Sequence, residues 1–124
     1  MALYLTKKFE RLSRKMRIDP DELKISAQEV LAGQYEANLG GGVIKKRIAQ
    51  DQGKSGGVRV ILFFKRDSHL FFYDCWSKSD VAGKGAKEIE DDELEAYKLM
   101  ARRYLNWRED QLTTLIKAGL LKEV

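Results

Sequence analysis

LGGGVIKKRIAQDQGKSGGVRVILFFK, residues 39–65, is the stretch whose reading decides the fold. Two glycine clusters, at 40–42 and 56–57, bracket a run of cations, and a segment of β-branched and aromatic residues follows. Such residues suit a pleated surface and glycines punctuate it. The stretch therefore predicts strands at 43–49 and 58–65 joined by a polar turn over 50–57. A tight turn at 66–68 and a third strand at 70–76 continue the pattern. Short connections make neighbouring strands antiparallel. In the middle strand Val58, Val60, Leu62 and Phe64 share one face, and Arg59, Ile61 and Phe63 share the other. Both faces are largely apolar, which puts this strand at the centre of its sheet. Arg59 is the exception and requires a reason.

Working outward, the chain before residue 39 reads as a helical hairpin. Leu5, Phe9, Leu12 and Met16 form a narrow apolar stripe on a basic first helix, whose polar face carries Lys7, Lys8, Arg11, Arg14, Lys15 and Arg17. That face is either solvated or in contact with a polyanion or partner. Asp19, Pro20 and Glu22 announce a second helix as N-cap, first position and capping-box partner. Leu23, Ala27, Val30 and Leu31 are its buried stripe, and Gly33 suits its C-terminal cap. After the sheet, 77–87 reads as loop. A helix from about Glu90 buries Leu94, Tyr97, Ala101, Tyr104 and Leu105. Asn106 and Glu109 then suggest another cap ahead of a short helix with Leu112, Leu115 and Ile116. The expected architecture is one α+β domain over 1–124: a helical hairpin at 1–38, a small antiparallel sheet of three or four strands at 39–78, and C-terminal helices at 88–124.

Composition limits the function classes. The 124 residues are 44% apolar and 34% charged, enough for one core. No apolar run is long enough to cross a membrane, and the start MALYLTKKFERL lacks a signal-peptide pattern. A single cysteine, Cys75, cannot form an internal disulfide. These features lead us to expect a cytoplasmic protein. Residues 1–87 hold 17 Lys and Arg against 10 Asp and Glu, whereas 88–124 hold 6 against 9. A basic body is compatible with RNA binding, and equally with an ordinary basic surface.

Much familiar chemistry is missing. The sole histidine, His69, lies beside a hairpin turn and is expected to be exposed; Cys75 is expected in the core. Asp91, Asp92 and Glu93 suit a helix N-terminus better than a metal, so no metal site or cofactor is expected. Gly53-Lys54-Ser55 is too short for a phosphate-binding P-loop. The cations remain. Period two puts Lys45 and Arg47 on one face of the first strand, and Ile44, Lys46 and Ile48 on the other. If Arg59 points the same way from the next strand, three cations share a small area suited to a polyanion. An edge-strand charge pair that discourages aggregation stays open as the alternative.

The order of elements, together with LGGGVIKKRIA, GKSGGVRVILFF and FYDCWSK, resembles the RelE/ParE superfamily, and its HigB-like branch of messenger-RNA interferases in particular. The similarity covers roughly residues 9–104. It implies a RelE-like fold and a ribosome-dependent mRNA endonuclease toxin that inhibits translation. Cleavage would be metal-free, with the ribose 2′-hydroxyl as nucleophile. It also implies a cognate antitoxin, expected to be of helix-turn-helix type, with the ribosome and mRNA as further partners. Residue by residue, it assigns catalytic roles to Arg59, Lys45, Arg47 and Lys78, with RNA contacts at Lys46, Lys54 and Ser79. Members with the best-known mechanism have an arginine where this chain has Ser79, and a later tyrosine where it has the glycine-rich 81–85 loop. The same fold serves gyrase poisons of the ParE kind, and a non-catalytic RNA- or DNA-binding module is the other alternative.

Overall fold

The computed structural model describes residues 1–49, 57–77 and 89–124. Among these, six strands form one mostly antiparallel sheet and four helices cover its two faces, an α+β arrangement as expected. The chain runs β1 (Leu3–Thr6), α1 (Lys7–Lys15), α2 (Pro20–Leu31), β2 (Ala37–Gly40), β3 (Val43–Ile48), β4 (Val58–Phe63), β5 (Leu70–Ser77), α3 (Asp91–Leu105), α4 (Glu109–Lys117) and β6 (Leu121–Glu123). The sheet order is β2-β3-β4-β5-β1-β6, and only the β1–β5 pair is parallel.

Within residues 39–65 lie β3 and β4, paired antiparallel with Arg47 opposite Arg59 and Lys45 opposite Ile61. All six residues of β4 are buried, as a central strand with both faces covered requires. On one face Ile44, Ile48, Val58, Val60, Leu62 and Phe72 pack beneath α1 and α2 through Phe9, Leu23, Ala27 and Val30. On the other, Val43, Ile61, Phe63 and Phe71 meet Tyr97 and Ala101 of α3 and Leu112 of α4. Between Ile61 and Leu62 the β4–β5 register shifts. The bulge leaves Phe71 and Tyr73 on the α3 side, where both rings meet Tyr104 edge-on.

The sequence reading missed three strands. Residues 3–6 are not the start of the first helix: they form β1, between β5 and β6. Leu5 joins one core and Tyr4 the other, so alternation overrides the helical spacing that Leu5 appears to share with Phe9. Helix α1 begins only after Thr6, whose hydroxyl accepts from the Phe9 amide at 3.2 Å as an N-cap. Strand β2 pairs with β3 across the glycine turn, and β6 closes the other edge. Leu31, assigned to the buried stripe of α2, is 49% exposed. The α2 capping box forms as read, whereas the N-cap position of α4 is Arg108, whose amide donates to Gln111, two residues beyond the expected Asn106.

Two glycines are required by their surroundings. Gly42 has φ +87, and a Cβ there would lie 2.5 Å from Leu105 Cδ1. Gly57 has φ +58, and its Cβ would lie 2.4 Å from the Ile48 carbonyl oxygen. That oxygen is backbone and cannot give way, so Gly57 fixes how the chain enters β4 two residues before Arg59.

Candidate active site: a cationic sheet face

Strand alternation gathers the site. Val43, Ile61 and Phe63 face α3 and α4, so Lys45, Arg47 and Arg59, in phase with them on paired strands, share that side. Arg59 is only 5% exposed. It lies between Arg47 on β3 and Trp76 on β5, its two register partners. The Trp76 indole N–H is buried with no hydrogen-bond partner among the described residues. Arg47 is exposed and forms no ion pair among those residues.

A carboxylate that the sequence reading did not single out completes the group. Glu36, just before β2, places Oε2 3.0 Å from Lys45 Nζ and Oε1 3.5 Å from Arg59 Nε. Its amide donates to the Lys45 carbonyl at 3.0 Å, which extends the β2–β3 ladder by one rung. The side chain is 32% exposed, whereas those of Lys45 and Arg59 are 18% and 6% exposed. The carboxylate therefore lies toward solvent with the two cations behind it. The only signal in the sequence was position: an acidic residue just ahead of a strand and glycine turn that lead into β3.

Lys46 points the other way, as alternation requires, and its ammonium lies 3.2 Å from Glu29 of α2. Lys54, Lys78 and Ser79 lie outside the described residues. Chain topology thus brings together three of the seven residues singled out from sequence, with Glu36 added.

Several reactive-looking groups have structural duties. His69 is half-buried rather than the exposed turn residue expected: Nδ1 accepts from the Ala2 amide at 3.0 Å, and Nε2 lies 2.6 Å from Glu109 Oε1. It ties the start of the chain to α4. Burial pushes the Cys75 thiol up to about 12, so no thiolate nucleophile is present at neutral pH. The Tyr97 hydroxyl donates to Asp74 at 2.7 Å, and burial, followed by that bond, raises its pKa. Burial likewise lifts Tyr104 to about 12. Among the described residues no group of His, Cys, Asp or Glu is arranged to hold a metal ion.

A groove of about 700 Å³ beside the glycine turn, lined by Leu31, Tyr35, Phe64 and Arg66 among others, does not include Arg59. Guanidinium groups grip phosphate oxygens in a fork and stay charged, so paired arginines with a lysine beside them suit an anionic polymer lying along the strands.

The chain matches the family described as RelE toxin of the RelE / RelB toxin–antitoxin system over residues 1–124. Comparison with curated proteins and with solved structures gives no match. Strand order, helical layers and full-length match lead to one assignment: the chain belongs to the RelE toxin family of RelE/RelB toxin–antitoxin systems.

Proposed function

We propose that this toxin is a ribosome-dependent mRNA endonuclease that acts in the cytoplasm and stops translation. The observation that carries the reading is the placement of Lys45, Arg47 and Arg59 on one sheet face, with Arg47 directly opposite Arg59. Glu36 balances Lys45 and Arg59 in part, and a phosphodiester along this face would supply an anion for Arg47 beside them. In cleavage through the ribose 2′-hydroxyl the substrate brings its own nucleophile. The protein has to orient the sugar and stabilise the extra negative charge of the phosphorane. Arg59, held rigidly in the central strand, takes the second task; one well-placed donor of this kind contributes roughly 10²–10³ in rate. Arg47 and Lys45 bind the flanking phosphate oxygens, and Trp76 offers an aromatic surface beside them. Lys78, with Lys46, Lys54 and Ser79 as RNA contacts, remains part of the proposal through the family resemblance alone.

Family membership implies a cognate RelB-type antitoxin. We take it to carry a helix-turn-helix domain and to neutralise the toxin by covering the cationic face with carboxylates.

Pulse labelling of growing cells tests the activity. Induction of the toxin alone should cut amino-acid incorporation at once while DNA synthesis continues. An early loss of DNA synthesis with translation intact would instead identify a gyrase poison on the same fold.

A further inference from the structure

We infer that Glu36 is the proton acceptor of the reaction: the group that takes the ribose 2′-hydroxyl proton as the 2′-oxygen attacks phosphorus. The inference rests on the ribonuclease reading and deepens it.

Glu36 touches both Arg59, proposed to stabilise the phosphorane, and Lys45, proposed to bind flanking phosphate oxygens, and it is the more exposed member of each pair. Lys45 stands 3.0 Å from that carboxylate as its ion-pair partner, which leaves Glu36 as the oxygen acceptor beside the two cations. An incoming phosphate competes with Glu36 for the same two cations and frees the carboxylate oxygens to meet the ribose.

The step balances without a co-reactant. The 2′-oxygen forms its bond to phosphorus while its proton passes to a Glu36 carboxylate oxygen. The bond from phosphorus to the 5′-oxygen breaks, and that oxygen takes a proton from water. The products are a 2′,3′-cyclic phosphate and a 5′-hydroxyl, and Glu36 returns its proton to solvent.

The opposing view makes Glu36 a counter-ion that merely neutralises a buried arginine. Glu36→Gln separates the two in single-turnover cleavage of mRNA on programmed ribosomes, with RNA affinity measured in parallel. As proton acceptor, its loss should slow cleavage by roughly 10²–10⁴-fold. RNA should bind as tightly as before or tighter, and the acidic limb of the pH–rate profile should vanish. As counter-ion only, the variant should cleave within about threefold of wild type or faster, and that result overturns the inference. Should Glu36→Gln melt far below wild type, Glu36→Asp replaces it, since it keeps the charge but draws the oxygens back by one methylene. A loss of tenfold or more at wild-type stability then supports the role, and wild-type cleavage overturns it. A wild-type protein that cuts no mRNA defeats the ribonuclease reading itself. Cutting by wild type and Glu36→Gln alike defeats only the role of Glu36.

Discussion

Arg59 occupies a strand whose other five residues are apolar, and every one of the six is buried. From sequence alone, a cation in such a place reads as function rather than packing, and its removal looks cheap. Burial and the contact with Glu36 change the second half of that expectation. Arg59→Ala opens a void at a buried position and removes one of the two cations that Glu36 meets, while Lys45 keeps the other. Arg59→Lys is the cleaner probe because charge and most of the volume remain. Toxicity in Arg59→Lys should fall by at least tenfold while its urea midpoint stays near wild type, since a point charge cannot reproduce the guanidinium fork. Full toxicity in that variant would reduce Arg59 to a structural cation. Glu36 itself was invisible in the sequence because its partners are set by a hairpin return, not by spacing along one strand. The alternation that groups Lys45 with Arg47 is local and was legible.

At the scale of elements, legibility followed contact range. Strands β3, β4 and β5 were readable because each is a compact run of β-branched and aromatic residues with few residues between it and its neighbour in the chain. Strand β1 was not: four residues merge smoothly into a helical stripe, and its parallel partner begins at Leu70. The same distance hid the duty of His69, whose partners Ala2 and Glu109 lie 67 and 40 residues away in sequence. The turns that aim the site make their own prediction. Gly57→Ala forces a methyl to 2.4 Å from the Ile48 carbonyl, whereas Gly33→Ala, with φ +82, meets nothing within 4 Å. Both pay the left-handed penalty of roughly 1–2 kcal/mol. Gly57→Ala should lose clearly more stability by urea unfolding, and toxicity with it. Equal losses at the two positions would show that Gly57 does not aim Arg59.

For the whole molecule, two cores on opposite sides of one sheet take titrating groups out of water in each: Cys75 beneath α1 and α2, and Tyr97 with the half-buried Tyr104 on the inner face of α3. All three pKa values are raised, Cys75 from 9.0 and Tyr104 from 10.0, each to about 12. The unfolded chain therefore releases these protons first, and their contribution to stability is intact below about pH 9 and lost as pH climbs toward 12. Urea midpoints should fall progressively above pH 9, and Tyr104→Phe should flatten part of that slope. A midpoint unchanged up to pH 11 would mean that these groups are not buried as described. The same two-sided architecture leaves the end of β3 and β4 that carries Arg47 and Arg59 facing α3's side of the sheet. On that face the account stands or falls, and substrate chemistry examines it most directly. Programmed ribosomes are given mRNA whose decoding site carries either a full ribose backbone or a single 2′-deoxynucleotide at the cut position. The account predicts rapid cutting of the first, with a 2′,3′-cyclic phosphate on the upstream fragment, and none at the deoxy position of the second. Cutting at the deoxy position, or no cutting of either mRNA by protein that still arrests growth, would contradict it.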